Sequence, residues 1–262
     1  MPRLARVLLT GLAFLVFALG AAAVAWLVLP FARAGGRSPA AQRRRNREVL
    51  RRAYRAYVRL SVALGLIEVR GAASPPPGPF VLVANHPTLL DVVLLLAAYP
   101  DVTCVVKAAW FKNPVLGPLL RQAGYLPGPD AGEEDAAPVL ERMVGALREG
   151  TPVLVFPEGT RSPPGGLRRF RVGALEAARR AGVPVVPVVI ACSARTLLKG
   201  QPWYDVPGGA IGYDLGVLDP VRLGPEDDPR QAARTLRARY AERLGVLPER
   251  PTLDTQPRHA VP

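Results

Sequence analysis

Four short, nearly continuous apolar runs constrain the fold of this chain most: residues 80–84 (FVLVA), 102–106 (VTCVV), 153–156 (VLVF) and 183–190 (VPVVPVVI). A strand that is apolar at every position, and not at every second one, is buried on both faces, as in a parallel sheet covered by helices. The segments between the runs have helical length and spacing. Helices are expected over 87–98, over 110–123 (interrupted by Pro114 and Pro118), over 137–149, and over 167–181 with Gly182 in the usual C-terminal position. Further strands are expected within 210–223 and a helix over 228–244. Pro184 and Pro187 suggest that the fourth run is an edge strand or carries a bulge. Strand–helix alternation without internal repeats predicts an α/β fold: a single domain with a mostly parallel central sheet flanked by helices.

The domain, expected over 75–247, is preceded by a Pro-rich break at 74–79 and two unlike segments. Val7 to Phe31 contains no charged residue for 25 positions, long enough to cross a bilayer core of about 30 Å. A cleaved signal peptide is the competing reading, with Arg3 and Arg6 as its basic start, but signal cores run to only about 7–15 residues. Residues 1–32 therefore predict an N-terminal membrane-anchoring helix, transmembrane or dipping into the bilayer. Within residues 33–74, the stretch 33–59 carries ten arginines (33, 37, 43, 44, 45, 47, 51, 52, 55 and 59). By the positive-inside rule they retain this side in the cytoplasm, expected here as the cytoplasmic face of a bacterial inner membrane. Within them, 48–66 reads as a basic amphipathic helix able to lie on anionic lipid. The tail, 248–262, is expected to be disordered.

The formal charge of +13 comes from 31 arginines and only 3 lysines, a bias that accompanies the richness in Ala, Gly and Pro. Because the basic residues cluster beside an apolar span and not across the domain, they point to a membrane surface and away from nucleic acid. Cys104 and Cys192 stand in apolar strand-like runs and read as reduced core residues, with no disulfide framework and no metal site.

Chemistry concentrates in two places. Asn85, His86 and Asp91 lie in the run NHPTLLD directly after the first apolar strand. Histidine beside a carboxylate is a base near neutral pH, the carboxylate fixing the tautomer and leaving one ring nitrogen to accept a proton. Pro87 suits the first position of a helix, which would put His86 at its cap and Asp91 in its second turn. A capping histidine beside an unrelated solvated aspartate is the plainer alternative. The second place is 156–162 (FPEGTRS), after the third strand, where α/β sheets carry ligand groups. Gly159 permits a tight turn, Arg161 offers a planar fork for phosphate, and Glu158 and Thr160 add an acid and a hydroxyl. Alone, this run could be an ordinary polar loop.

Together the two runs resemble the glycerolipid acyltransferase family that includes the 1-acylglycerol-3-phosphate acyltransferases. Its NHxxxxD motif is matched by Asn85, His86 and Asp91, and its later FPEGTRS by 156–162 in full. Lys107 followed by Pro114, Gly117 and Gly124 looks like the family's second block, and 183–188 resembles its fourth. The resemblance covers roughly 80–190. One departure stands out: the second block often ends in an arginine after its second glycine, where this chain has Tyr125-Leu126-Pro127. Arg121, in the preceding helix, is a conceivable substitute.

The resemblance implies transfer of a fatty acyl group from acyl-CoA or acyl-carrier protein, used as co-substrate with no resident cofactor, to a hydroxyl of a lysophospholipid. It makes His86 and Asp91 the catalytic pair. Asn85, Lys107, Glu158, Gly159, Thr160 and Arg161 become substrate-binding residues, Arg161 and Lys107 toward the acceptor phosphate. The implied partners are membrane phospholipids, a lysophospholipid acceptor and the thioester donor. No GxSxG nucleophile elbow is present, so no acyl-enzyme is required. Two rivals remain: a transacylase moving chains between phospholipids without a thioester, and a catalytically silent lipid-binding membrane protein, which would have no need of the His86/Asp91 pair.

Overall fold

The computed structural model describes residues 2–32, 38–71, 76–129, 137–194 and 201–246. Most of the Pro-rich break's start, Arg33, Arg37 and the tail expected to be disordered lie outside them. Seven strands form one sheet: β1 (Ile67–Arg70), β2 (Val81–Ala84), β3 (Thr103–Lys107), β4 (Leu126–Gly128), β5 (Val153–Val155), β6 (Val185–Cys192) and β7 (Ile211–Val217), in the spatial order β1-β7-β6-β2-β5-β3-β4. All neighbours are parallel except β6 and β7. The sheet is thus mostly parallel, as its apolar strands require.

Successive residues of the central strands feed opposite cores. Leu82, Ala84, Leu154, Val186 and Val188 pack under α3 (Pro39–Ala63), α4 (Asp91–Ala98) and α5 (Leu116–Ala123). Val81, Val83, Val153, Val185 and Val189 pack under α6 (Ala137–Arg148), α7 (Gly173–Ala181) and α8 (Pro229–Leu244). β2 lies at the centre, with all four residues fully buried. Both chemical runs leave neighbouring parallel strands at the same edge: His86 two residues after β2, and 156–162 directly after β5.

Several elements depart from the sequence expectations. β6 is interior, between β7 and β2, despite its proline. Pro184 lies before the strand and offers its carbonyl to Val81 N (2.9 Å), while Pro187 accepts from Leu218 N (3.0 Å) just past the end of β7. The missing N–H falls at an irregularity of the antiparallel ladder, where Val188 pairs with Val217 but Val185 with Val221, so that two residues of β6 face three; the edge expectation fails and the bulge alternative fits. β1 and β4 were not foreseen: IEVR and LPG are not continuous apolar runs of the kind that mark β2 and β5. β1 also brings residues 67–70, expected in the linker, into the sheet.

The basic helix does not lie free for a membrane. α3 buries Asn46, Arg47, Leu50 and Ser61 against the domain. Asn46 Nδ2 donates to Gln122 O (2.7 Å) and Arg47 Nη1 to Ala123 O (3.1 Å), so α3 caps the carbonyl end of α5. Arg47 also pairs with Asp101 at 2.8 Å. The face expected to meet lipid is thus occupied by domain contacts.

Ahead of it, α1 (Arg3–Ala23) continues through a π-helical turn (Val24–Val28) into α2 (Leu29–Ala32). Arg3–Val28 is apolar and long enough to cross a membrane. Ala13, Ala25 and Leu29 are buried, Phe17 meets Tyr57 edge-on, and Arg6 Nη1 donates to Gly65 O, so one stripe of the helix docks on α3. The opposite stripe exposes Leu4, Leu8, Leu12, Leu15 and Leu19. A row of exposed leucines on a docked helix is a surface for membrane association.

Candidate active site

His86 Nδ1 lies 2.9 Å from Asp91 Oδ2. The route is not the one the sequence suggested. Pro87 does not begin the helix; residues 87–90 form a loop and Asp91 is the first residue of α4. The reason is the aspartate itself. Its Oδ2 accepts from Thr88 N and its Oδ1 from Thr88 Oγ1, both at 2.7 Å, and these bonds fold 86–90 back over the helix start. The imidazole and carboxylate meet because the segment between them is not helical.

Asp91 is fully buried and His86 nearly so, with 15% of its side chain exposed. Burial pushes the Asp91 carboxyl above the ordinary carboxylate range, while the His86 and Thr88 hydrogen bonds pull it back. The network runs deeper: Thr88 Oγ1 is 3.1 Å from the buried Tyr213 hydroxyl on β7. Every polar atom around the carboxylate is thus fixed by another, the arrangement that holds a base in one tautomer.

The 156–162 loop grips the same histidine. The Phe156 ring stacks on the imidazole with centroids 4.2 Å apart. Ser162 N donates to His86 O at 2.8 Å, and His86 N is shared between Glu158 Oε1 and Ser162 Oγ, each at 3.2 Å. Glu158, only 5% exposed, also accepts from Ser162 Oγ and, at 2.8 Å, from Arg168 N. Its carboxylate is fully engaged in joining the two runs and the segment after them. Gly159 turns at φ 68°, and a Cβ there would come within 3.0 Å of the Arg171 guanidinium carbon.

Asn85, expected to touch substrate, does something else. Its amide donates to Ile190 O (2.9 Å) and accepts from Ile190 N (2.7 Å), extending the β2–β6 ladder by one side chain. Both amide groups are used, so its contribution is to hold the turn into His86. Lys107 stands exposed at the end of β3, and Arg161 and Thr160 lie half-exposed on the loop. Arg121 donates to Phe111 O, closing the turn ahead of α5, and so is committed away from the site.

Residues 66–191 match the profile of a family described as Acyltransferase. Over that stretch, just under half of its length, the chain is similar to this acyltransferase family. It is 31% identical over 136 residues to a chloroplastic 1-acyl-sn-glycerol-3-phosphate acyltransferase of Brassica napus, covering 51% of this chain and 40% of that one. It is 37% identical over 132 residues to a lyso-ornithine lipid O-acyltransferase of Pseudomonas aeruginosa, half of each chain. The chain thus spans about two fifths to one half the length of these curated relatives. Its fold is that of the crystal structure of the 1-acyl-sn-glycerophosphate acyltransferase PlsC from Thermotoga maritima, with a TM-score of 0.69 at 22% identity over 95% of this chain and all of that one.

The residues of this site that sequence reasoning missed are Thr88, Ser162, Phe156, Tyr213 and Arg171. Thr88, Phe156 and Ser162 lie inside the two motifs, but nothing in their spacing says which way they turn. Tyr213 is 125 residues from Thr88 and enters through β7, and no local signal could have found it. Arg171 was expected inside a helix over 167–181, but α7 begins only at Gly173. Residues 168 and 171 instead give their backbone N–H groups to Glu158 and to Pro157 O.

Beside α4 lies an apolar cavity of about 110 Å³ between α1, α3, α4 and β7. Leu89, Leu90, Val93 and Tyr213 form the wall nearest Asp91, and Ala13, Phe14 and Phe17 of α1 form the far wall.

Proposed function

We propose that this chain is a membrane-associated O-acyltransferase. It moves a fatty acyl group from acyl-CoA or acyl-carrier protein to a hydroxyl of a lysophospholipid, in the first place 1-acylglycerol-3-phosphate. The observation that carries the reading is the His86–Asp91 contact of 2.9 Å, held on a buried carboxylate whose chain neighbours Leu89, Leu90 and Val93 line an apolar cavity.

In this mechanism Asp91 takes the hydrogen bond from Nδ1–H, and Nε2 of His86 accepts the proton of the acceptor hydroxyl as its oxygen attacks the thioester carbonyl. The C–O bond forms, the C–S bond breaks, and the imidazolium returns the proton to the departing thiolate. Asp91 stabilises the imidazolium in between. The acyl chain lies in the apolar cavity, Arg161 and Lys107 face the acceptor's phosphate, and Glu158 to Thr160 shape the loop beside it. The exposed leucines of α1 hold the site at the bilayer, and the arginines that follow favour the cytoplasmic side of a bacterial inner membrane.

A second acceptor is favoured by one observation. No arginine follows Gly124, Arg121 is turned to Phe111, and the Pseudomonas relative is named for a lyso-ornithine lipid. The phosphate is therefore the part of the acceptor for which the site carries least.

The test supplies detergent-purified protein with acyl-CoA or acyl-carrier protein and a panel of 1-acylglycerol-3-phosphate, lyso-ornithine lipid and other lysophospholipids. Thiol release should match diacyl product one to one, with 1-acylglycerol-3-phosphate the best acceptor. Product without thiol release would identify a transacylase, and a panel with neither would reject the acyl-transfer reading.

A further inference from the structure

The segment that braces the active-site loop also builds a second feature. Arg169, Arg171 and Arg230 line an open concavity in which the remaining wall is Val172. Arg169 and Arg171 come from the stretch between Leu167 and α7, and Arg230 from the first turn of α8. No carboxylate is among the lining residues, and among the described residues none of these three arginines makes an ion pair. Three like charges facing one hollow repel one another unless an anion fills it, and guanidinium forks suit phosphate oxygens.

The position of the hollow narrows the anion. Arg171 lies over the Gly159 turn, and its backbone N–H bonds Pro157 O at 2.8 Å, so the concavity borders the loop that grips His86. It sits with α7 and α8, the helices on one face of the sheet, whereas the apolar cavity and α1 lie on the other. A ligand spanning the carboxyl edge of the sheet would place an apolar chain on the membrane side, a reacting carbon at His86 and an anionic group on the water side. A thioester of coenzyme A has that order of parts: acyl chain, thioester, pantetheine arm and a nucleotide carrying three phosphates. A small hollow with convergent guanidiniums and one aliphatic wall suits a nucleotide, whose base can lie on Val172 or stack on a guanidinium. A carrier protein, by contrast, binds over a broad surface.

We propose that the concavity of Arg169, Arg171 and Arg230 binds the phosphates of a coenzyme A donor and holds that donor across the edge of the sheet. This rests on the acyl-transfer reading above. The test therefore has one arm that needs no turnover. Calorimetry with adenosine 3′,5′-bisphosphate, the nucleotide end of coenzyme A, would compare the wild-type protein in detergent with an Arg169→Gln/Arg230→Gln variant. An Arg222→Gln/Arg243→Gln variant controls for net charge.

The first pair should weaken nucleotide binding about tenfold or more, the scale of losing one charge-assisted hydrogen bond, and the control pair should weaken it far less. In the turnover arm, kcat/KM for acyl-CoA is divided by that for acyl-pantetheine, which lacks the phosphates. The ratio should fall by a similar factor in the first pair only. A wild type that does not bind the nucleotide, equal losses in both pairs, an unchanged ratio, or transfer from acyl-carrier protein alone would each overturn the assignment. If no donor supports transfer while nucleotide binding still depends on these arginines, the site stands and the acyl-transfer reading falls.

Discussion

Replacing Thr88 by valine removes one hydroxyl and almost no volume, so it isolates what the buried network contributes. The hydroxyl donates to Asp91 Oδ1 at 2.7 Å, accepts from Leu90 N at 3.2 Å, and lies 3.1 Å from the Tyr213 hydroxyl. Losing the bond to a buried carboxylate costs about 1.5–3 kcal/mol, and the Tyr213 hydroxyl, left with Cys192 as its remaining partner, adds up to about 1 kcal/mol. The two are not additive, because Thr88, Asp91 and Tyr213 share one network; a total near 3 kcal/mol is expected. Its effect on rate follows from the same geometry. Thr88 N still holds Oδ2, so the carboxylate stays but turns more freely against His86, and kcat should fall about thirtyfold, equivalent to about 2 kcal/mol. The assay measures kcat and KM for acyl transfer together with thermal unfolding. Thr88→Val should lose kcat with KM nearly constant, Thr88→Ser should restore it, and Tyr213→Phe should show a smaller loss of the same kind. A Thr88→Val enzyme with wild-type kcat, or one whose loss Thr88→Ser does not restore, would refute the reasoning.

Three further outcomes are expected. Gly159→Ala forces a Cβ into a left-handed residue and toward Arg171; it should cost about 1–2 kcal/mol of stability but lower activity more steeply, checked by pairing unfolding midpoints with initial rates. Arg47→Ala leaves Asp101 with only Arg44, at 3.5 Å, and removes the side-chain donor to the Ala123 carbonyl, at the amino end of the strands and far from His86. It should lower stability by about 3 kcal/mol, toward the low end for a broken buried pair, and leave the specific activity of folded enzyme near wild type. Burial pushes the Cys104 thiol up to about 12 and raises Cys192 also, so both remain thiols through pH 8–9, where an exposed cysteine is partly thiolate. Iodoacetamide at pH 8.5 should label Cys104 only after denaturation and Cys192 slowly before it; rapid labelling of Cys104 in the native enzyme would contradict its placement.

The sheet was legible because its strands are apolar at every position, the imprint of burial on both faces. The helices α4 to α8 were legible from their spacing. What escaped depended on contacts remote in sequence. β1 is four residues that gain stability only by joining β7, over 140 positions away. α3 reads as a lipid-facing amphipathic helix, yet Asn46 and Arg47 find the carbonyl end of α5. At the site, His86 and Asp91 were evident as residue types at a spacing, but the sequence put them on one capped helix. The folded segment 86–90 exists because a buried carboxylate outcompetes the first helical turn for Thr88. Asn85 shows the converse limit: a motif residue beside the base whose amide is consumed by Ile190.

The central claim is that His86, held by Asp91, is the base that activates the acceptor hydroxyl. Its most direct measurement is thioester-dependent acylation of 1-acylglycerol-3-phosphate by wild type, His86→Ala and Asp91→Asn, each verified as folded by its unfolding temperature. The account predicts a loss of about 10²–10⁴ in kcat for His86→Ala, the range for removing a general base, and a smaller loss for Asp91→Asn. A folded His86→Ala enzyme that turns over within a few-fold of wild type would contradict it.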